Sequence, residues 1–255
     1  MKIAVCVKHA VDETELKIDP SGKPLLTGAV SRMSTFDKNA VEEGLRLKAA
    51  HQGEVTIFTV GPAESKKTMK EALAMGADRG VLVIADTSAT DTMRTAALLA
   101  AAIKKAGPFD IVICSEGSSD TYSGQVPPML GEALGAAFVG YARKVEVSGQ
   151  AAKVERSLED SVEVVEAPVP LVVSVVSEIN EPRYPTLIQI MQAGKKPLEE
   201  LGGEQLLPMG AYKQATIVSM SAQQSTRKHV MIEGSPDEAA AKLVDALMKE
   251  GVITK

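Results

Sequence analysis

The sequence predicts an α/β fold: a doubly wound, mostly parallel sheet of the Rossmann-like kind, extended by antiparallel strands and followed by a C-terminal helical arm. Over the first 135 residues, short apolar runs rich in β-branched residues alternate with helical patterns, and the connections are short. Such alternation is typical of parallel βαβ units. Between residues 143 and 166, apolar and polar side chains alternate, which indicates an antiparallel meander. A last helical pattern after residue 235 accounts for the arm.

The composition is that of an ordinary globular protein and argues against several classes. The chain has 255 residues, of which 45% are hydrophobic and 24% charged. Its net charge of −5, without a basic stripe, argues against nucleic-acid binding. Its apolar runs are too short for membrane insertion, and the N-terminal run is too short for a signal peptide. Cys6 and Cys114, the only cysteines, lie in predicted buried strands, so we expect a reducing, cytoplasmic compartment and no metal site.

Four apolar runs are the predicted strands of the parallel sheet. They cover residues 2–7, 54–60, 80–84 and 109–114. Helical patterns follow these runs; the first can be capped by Ser34 or Asp37, and the next two end at Gly76 and Gly107. Between the first strand and the first helix, residues 11–30 are rich in turn signals and form a hairpin or an exposed loop.

The second half of the chain predicts the antiparallel extension and one more central strand. The meander covers residues 143–147, 152–158 and 162–166. Residues 168–176 are nearly all apolar and are typical of a strand buried on both faces.

The C-terminal third is predicted to be mostly helix and irregular chain. A helix starts at residue 188, and the charged pairs at 195–196 and 199–200 are interpreted as its solvated faces. Residues 223–228 are polar and are expected to be flexible. Ser235 is placed to cap the last helix, with Pro236 in its first turn.

The stretch from Phe109 to Gly135 organises the chain. Its strand leads into a loop of small and polar residues, 115–125, and then into a helix start. This layout aims backbone N–H groups at an anion outside the carboxyl edge of a sheet, and Gly117 and Gly124 allow close approach to the backbone. We therefore expect the loop to bind the phosphates of a nucleotide. The alternative is a polar loop that binds nothing, because neither G-x-G-x-x-G nor G-x-x-x-x-G-K-[ST] is present.

Other chain segments are predicted to reach the same edge. Lys8 and His9 follow the first strand, Gly61 follows the second, and the start of the first helix at Ser34 can lie nearby. Because ligands of doubly wound sheets sit outside the carboxyl ends of the strands, these clusters can line one crevice. No Ser–His–Asp set, carboxylate pair or metal cluster emerges from the sequence, so we expect no stand-alone catalysis.

Several strings resemble one known family. They are IAVCVKHAVDE near the N-terminus, FDKNAVEEGLRLK, AMGADRG, KVERSLED and NEPRYPTL. With them, the chain from Met1 to about Leu201 resembles the β subunit of electron transfer flavoprotein. The strings SSDTYSGQV and IEGSPDEAAAKLVDAL are similar to the Fix-like branch of that family, which is associated with electron bifurcation.

The resemblance implies an electron carrier. It implies a heterodimer with an electron transfer flavoprotein α subunit, which receives electrons from dehydrogenases and passes them to an acceptor such as a quinone reductase or ferredoxin. It also implies that the β subunit holds FAD, with AMP as the alternative occupant of the same site. On this basis we divide the chain into a nucleotide-binding domain, residues 1–205, and an arm, residues 206–255, that docks on the partner subunit.

The resemblance also implies site residues, and these add to the residues expected at the strand ends. By resemblance, the nucleotide contacts are Cys6, residues 34–37, Val60 and the loop that ends at Ser123. Together, the expected nucleotide or FAD contacts are Cys6, Lys8, Ser34, Thr35, Phe36, Asp37, Val60, Gly61, Cys114, Glu116, Gly117, Ser118, Ser119, Asp120, Thr121, Tyr122, Ser123, Gly124, Gln125 and Val126. The partner-docking residues are Asn180, Arg183, Tyr184 and Leu187, with Leu187 as the apolar anchor for a dehydrogenase.

Four of the charged residues near these segments allow two interpretations each. Asp37 is interpreted as a helix cap rather than a ribose ligand, and Asp120 as a group that orients the phosphate loop. His9 is interpreted as structural rather than as a flavin contact. Arg183 either stabilises an anionic flavin or pairs with a neighbouring acid.

Two other functions compete with the electron carrier. A homodimeric ATP- or AMP-binding protein of the universal-stress type shares the sheet and the adenine site. A nucleotide-dependent hydrolase or ligase of the same α/β class is the third possibility, although the chain has no phosphate-transfer motif.

Overall fold

A computed structural model of the chain describes residues 1–86, 90–208, 210, 215, 217–222 and 229–253. The strands are β1 (Lys2–Cys6), β2 (His9–Val11), β3 (Ser31–Met33), β4 (Glu54–Gly61), β5 (Arg79–Ile84), β6 (Ile111–Ser115), β7 (Ala137–Ser148), β8 (Ala151–Ser157), β9 (Val162–Pro168), β10 (Leu171–Val175) and β11 (Leu198–Gly202). The helices are α1 (Thr35–His51), α2 (Lys66–Met75), α3 (Thr92–Ala106), α4 (Val126–Leu134), α5 (Leu187–Ala193), α6 (Gly203–Leu206) and α7 (Pro236–Lys249).

In the described part of the chain, nine strands form one sheet in the order β11-β5-β4-β1-β6-β10-β7-β8-β9. The strands from β11 to β7 are parallel to their neighbours, and β8 and β9 continue antiparallel. The predicted doubly wound sheet with an antiparallel extension is therefore confirmed. The apolar run predicted as a central strand is β10, which lies between β6 and β7 and is buried along its whole length.

Helices cover both faces of the parallel strands. Side chains alternate between the two faces along each strand. In β1, Ile3 and Val5 face a core that includes α1 and α2, whereas Ala4 and Cys6 face a core that includes α3 and α4. The apolar runs needed for burial on both faces are the ones that the sequence shows.

The segment between β1 and α1 was predicted to be a hairpin or an exposed loop. In the structure it resembles a hairpin. Strands β2 and β3 pair antiparallel, with His9 opposite Met33. Farther out, Ile18 forms an isolated antiparallel bridge with Pro24. The pairing of β2 with β3 returns the chain to the start of α1, next to the end of β1.

The prediction of a solvated helix face at 195–196 and 199–200 is wrong. Glu199 and Glu200 lie on β11, which pairs with β5 at the edge of the sheet, and they form ion pairs with Arg79 and Lys66. The sequence did not reveal β11, because an edge strand tolerates exposed charge and the apolar residues of β11 do not alternate with polar ones. Lys196 follows α5 in a turn, and its Nζ donates to carbonyl groups at the end of α2.

The last helix has the predicted start. Ser235 and Glu238 form a reciprocal capping box, and Pro236 is the first residue of α7. Residues 223–228, which were expected to be flexible, lie outside the described residues. None of the helices in the described ranges is both long enough and apolar enough to cross a membrane.

Candidate functional site

The strand register brings the predicted segments to one edge. Cys6 at the end of β1 is opposite Phe58 in β4, and Val5 is opposite Ile113 in β6. Lys8, Gly61 and the loop after Ser115 therefore leave the sheet at the same carboxyl edge. The crevice that these segments line is called the edge crevice below.

Lys8 fixes the loop that follows β6. Its Nζ lies 2.6 Å from Asp120 Oδ1 and 3.3 Å from both Ser118 Oγ and Thr121 Oγ1. The other oxygen of Asp120 accepts a hydrogen bond of 3.2 Å from the N–H of Val11. Burial works to raise the pKa of Asp120, but the hydrogen bonds from Lys8 and Ser118 hold it below its ordinary value. The structure thus agrees with the interpretation of Asp120 as the group that orients this loop.

Asp37 does not cap α1, so that part of the prediction is wrong. Its carboxyl group is 3% exposed and accepts a hydrogen bond of 2.6 Å from the N–H of Lys8. Its other oxygen lies 2.5 Å from Ser115 Oγ. The side chain points across the edge crevice because two groups there need a partner, whereas α1 has no side-chain cap at all.

The charge of Asp37 decides how Ser115 is hydrogen-bonded. Ser115 Oγ lies close to two acceptors, Asp37 Oδ1 and the carbonyl of Gly117, the latter at 2.8 Å, but a hydroxyl has only one proton. When Asp37 is ionised, Ser115 can donate to the carboxylate; when Asp37 is protonated, its O–H can donate to Ser115 Oγ and the serine then donates to Gly117. Burial raises the pKa of Asp37 from 3.8 to about 7, although the hydrogen bonds from Ser115 and Lys8 oppose the rise. Ser115 was not among the predicted residues; its position directly after a buried strand was the available signal.

The start of α1 is also joined to the loop. Ser34 occupies the N-cap position, but its Oγ accepts a hydrogen bond of 3.2 Å from the N–H of Ser119. The ring of Phe36 packs edge-on against Tyr122, with centroids 5.4 Å apart. Residues 34–37 and the loop therefore form one connected structure.

Two glycines are required by the shape of the loop. A Cβ on Gly117 would lie 2.7 Å from the ring of Tyr122. Gly124 has φ +63°, and a Cβ there would lie 3.3 Å from the carbonyl of Glu116. Gly61, at the end of β4, meets a similar limit, because a Cβ would come within van der Waals contact distance of the buried Ser65 hydroxyl.

The loop offers backbone donors at its end. Among the described residues, the N–H groups of Ser123, Gly124 and Gln125 have no hydrogen-bond acceptor. The first turn of α4 contributes less than an ordinary helix, because Pro127 and Pro128 have no N–H group. An anion at this edge would therefore bind the loop amides more than the helix N-terminus.

The floor of the edge crevice contains both cysteines. Cys6 and Cys114 are buried and unoxidised, and they lie on the neighbouring strands β1 and β6. The nearby Cys114 thiol and burial raise the pKa of Cys6 well above its ordinary value. No group of three metal-ligating side chains occurs among the residues that the structure describes.

The remaining predicted contacts lie around the same edge. Burial raises the pKa of Glu116, although the neighbouring Tyr122 hydroxyl opposes the rise. Gln125 Oε1 accepts a hydrogen bond of 2.8 Å from Thr92. Thr35 and Val126 begin α1 and α4, and Val60 is half-buried at the end of β4. No hydrogen bond joins Val60 or Gly61 to the described residues of the loop; the strand register places them at the same edge.

His9 has the structural role that was expected. Its Nδ1 lies 2.8 Å from Thr68 Oγ1 on α2, and burial lowers its pKa. This contact ties β2 to α2, away from the loop after β6.

The predicted docking residues divide into two pairs. Asn180 and Arg183 are bound to α1, and Arg183 forms an ion pair of 2.7 Å with Glu42. Of the two interpretations of Arg183, pairing with a neighbouring acid is the one that the structure shows. Tyr184 and Leu187 point outward and are 91% and 72% exposed. Exposed apolar side chains of this size on one short segment are unusual for a surface without a partner.

These features define a Rossmann-like α/β protein whose carboxyl edge carries a glycine-containing loop with free backbone donors. The sequence model described as "Electron transfer flavoprotein domain" matches residues 26–205. The chain is 36% identical over 261 residues to the "Electron transfer flavoprotein subunit beta" of Thermoanaerobacterium thermosaccharolyticum, which covers 99% of this chain and 100% of the relative. The proteins of the same name from Clostridium acetobutylicum and Bacillus subtilis are 35% and 33% identical, again over 99% of this chain and 100% of each relative.

The chain therefore belongs to the electron transfer flavoprotein family, among its β subunits. Membership implies pairing with an α subunit and association with a flavin. It also favours the electron carrier over the universal-stress protein and over the hydrolase or ligase.

Proposed function

We propose that this chain binds FAD in the edge crevice as the β subunit of a heterodimeric electron transfer flavoprotein. In that role it carries electrons between dehydrogenases and an acceptor such as a quinone reductase or ferredoxin. The observation that supports this most is the loop after β6, which presents three successive free N–H groups, Ser123 to Gln125, while Lys8 and α1 hold it in place.

The charges around the loop suit an anionic ligand. The free amides are available to phosphate oxygens, and the half-exposed ammonium group of Lys8 is bound to the same loop at Asp120. A carboxylate next to a phosphate would repel it, but Asp120 is paired with Lys8, and burial raises the pKa of Asp37 to about 7, so that a large part of Asp37 is protonated near neutral pH. The residues present therefore fit a dinucleotide's pyrophosphate.

The remaining parts of the site serve to position the ligand and exclude water. The edge-on pair Phe36 and Tyr122 forms an apolar wall beside the loop. The thiols of Cys6 and Cys114 form an uncharged floor at the ends of two strands. A bound flavin supplies the redox chemistry, and this chain supplies binding and electrostatics without stand-alone catalysis.

FAD is proposed over AMP because of the Fix-like strings, above all SSDTYSGQV, which lies within the loop itself. AMP is the alternative occupant of the same site. If FAD binds here in addition to a flavin bound with the α subunit, the complex has the two flavins that electron bifurcation uses.

The partner surfaces complete the proposal. The segment around Tyr184 and Leu187 docks a dehydrogenase, and residues 206–255 form an arm that docks on the α subunit, whereas residues 1–205 form the nucleotide-binding domain. We place the complex in the cytoplasm.

The test is the nucleotide content of the heterodimer purified without oxygen. Nucleotides are released by denaturation and identified by mass spectrometry and chromatography. We expect two FAD per heterodimer. If one FAD and one AMP are found, AMP and not FAD occupies the edge crevice. If one FAD and no second nucleotide are found, the proposal of a nucleotide site in this chain is contradicted.

A matched pair of variants assigns the second nucleotide to this crevice. Gly124→Ala places a Cβ against the carbonyl of Glu116 at φ +63°. Gly149→Ala strains a glycine of similar φ, +59°, in the turn between β7 and β8, where a Cβ meets no other atom. We expect Gly124→Ala to lose one nucleotide per heterodimer and Gly149→Ala to retain both.

A further inference from the structure

The partner-docking segment is fastened to α1 by a buried carboxylate. Glu42, on the inner side of α1, is 5% exposed. Its Oε2 accepts hydrogen bonds from the N–H of Arg183 at 3.2 Å and from Arg183 Nε at 2.7 Å, and its Oε1 accepts one from Nη2 at 3.0 Å. The main-chain contact matters because it fixes the path of the segment as well as the direction of one side chain.

A pair of asparagines extends this attachment. Asn39 Nδ2 donates to the carbonyl groups of Asn180 and Ser177, at 2.8 and 3.0 Å. In return, Asn180 Nδ2 donates to the carbonyl of Asn39 and to Glu43 Oε2, both at 3.1 Å. The beginning of the segment is therefore bonded to two successive turns of α1, both through side chains and through the main chain.

The far end of the same segment is attached to α2. Lys196 Nζ donates to the carbonyl groups of Leu73 and Ala77, at 2.8 and 2.6 Å. Between the two attachments, five large apolar side chains point outward: Tyr184, Leu187, Ile188, Ile190 and Met191 are all more than half exposed. A short apolar segment anchored at both ends is pre-organised, so less conformational entropy is lost when a partner binds it.

The carboxylate of Glu42 stays ionised in this position. Burial works to raise its pKa, but the hydrogen bonds from Arg183 and from Arg46 hold the pKa below its ordinary value. An isolated buried carboxylate is costly, and here its cost is offset chiefly by a residue of the docking segment. The pair with Arg46, one turn further along α1, would satisfy only one of the two oxygens.

We infer that Glu42 is a positioning residue for partner recognition: through Arg183 it holds the apolar segment 184–191 in the conformation that a dehydrogenase binds. This inference rests on the proposed docking role of the segment. It adds a residue that contacts neither the partner nor the nucleotide, and it places the control of docking on α1, whose first turn lines the edge crevice.

The experiment uses the intact heterodimer and a flavin-containing dehydrogenase selected because it reduces the wild-type heterodimer. Glu42→Gln and Arg183→Gln are compared singly and together, with Glu199→Gln as the control. Glu199 is also paired with an arginine, Arg79, but this pair joins β11 to β5 at the edge of the sheet and does not join the segment to α1. The dehydrogenase is held constant while the heterodimer is varied, and amide hydrogen exchange is measured in the peptide that spans 180–193.

We expect Glu42→Gln to raise the KM for the heterodimer about tenfold with kcat changed less than twofold, because ordering a few side chains costs a corresponding amount of binding free energy. Hydrogen exchange should accelerate in 180–193 and stay constant in the strands β1 and β4. The double variant should be no worse than either single variant, since both remove the same contact. Glu199→Gln should leave KM and exchange unchanged.

Three results would overturn the inference: unchanged exchange in 180–193, effects of the two single variants that multiply, or a loss of kcat without a change of KM. Leu187→Ala separates this from the proposed function. If Leu187→Ala leaves KM unchanged while Glu42→Gln still accelerates exchange, the segment is held by Glu42 but is not the docking surface. In that case the docking proposal fails and, with it, the role of Glu42 in recognition.

Discussion

Asp37 on α1 and Ser115 at the end of β6 share a hydrogen bond, with 2.5 Å between Asp37 Oδ1 and Ser115 Oγ, and both residues are buried. The same carboxyl group binds the N–H of Lys8, so three segments that are distant in sequence meet at one side chain. This relationship sets the shape of the edge crevice and makes its electrostatics depend on one proton.

We expect Asp37 to make the protein less stable as the pH rises. Its pKa is about 7 in the folded state against an ordinary value of 3.8, so the folded chain holds a proton that the unfolded chain has released. The free energy of unfolding contributed by this group therefore decreases as pH rises from about 4 to about 7. Asp37→Asn keeps the shape without the proton and should flatten this dependence by an amount on the order of a few kcal/mol.

The measurement is denaturation of the heterodimer at pH 5 and pH 7.5. Asp91→Asn is the control, because hydrogen bonds at the start of α3 overcome the effect of burial and lower the pKa of Asp91 from its ordinary value of 3.8. Its contribution to stability is lost only as pH falls below that value, so this variant should keep the wild-type pH dependence between pH 5 and pH 7.5. If wild type and Asp37→Asn show the same pH dependence over this range, Asp37 is ionised in the folded protein.

Lys8→Gln should weaken nucleotide binding. Without the ammonium group, Asp120 is a mostly buried carboxylate beside the proposed phosphate position, and the loop loses its contact with Ser118 and Thr121. We expect about a tenfold loss or more in affinity for FAD, which corresponds to roughly 1.4 kcal/mol. Calorimetric titration of nucleotide-depleted heterodimer measures this loss, and Lys144→Gln, which breaks an exposed pair with Glu146, should have no effect. Equal affinities of Lys8→Gln and wild type would show that Lys8 does not act on the ligand.

The two cysteines should be unreactive in the folded protein. Cys6 and Cys114 are buried, and the pKa of Cys6 is raised by the nearby Cys114 thiol and by burial, so little thiolate forms near neutral pH. Mass spectrometry after iodoacetamide treatment at pH 8 should find both thiols unmodified in the native heterodimer and both modified in urea. Rapid modification of the native protein would mean that the floor of the edge crevice is open to solvent.

The sequence predicted the architecture where periodicity reports burial directly. Strands such as β1 and β10 are buried on both faces, so their apolar runs were sufficient to locate them. β11 was missed because its position depends on pairing with β5 and because Glu199 and Glu200, which point to opposite faces of the strand, are both exposed. Local sequence cannot show which edge of a sheet a charged segment will join.

The site was predictable in its location but less so in its contacts. The loop after β6 follows from its small residues and from its place after a strand. By contrast, the direction of Asp37 depends on Ser115 and Lys8, which are far away in sequence, and a helix start favours the simpler interpretation of a cap. The attachment of Arg183 to Glu42 joins residues 141 positions apart and likewise required the fold.

The last helix should contribute to binding of the α subunit through one face. The capping box of Ser235 and Glu238 defines the start of α7. Leu243 and Val244 of this helix are 48% and 45% exposed. Successive helical residues are 100° apart, so Ala241 lies about 200° around the helix from Leu243. Leu243→Asp should therefore weaken the heterodimer, whereas Ala241→Asp places the same charge on the opposite face and should not. Sedimentation equilibrium of the purified complexes measures both, with an expected increase in the dissociation constant of about tenfold or more for Leu243→Asp, since a buried Leu contributes roughly 1.5–3 kcal/mol. Equal dissociation constants for the two variants would show that this face of α7 does not contact the α subunit.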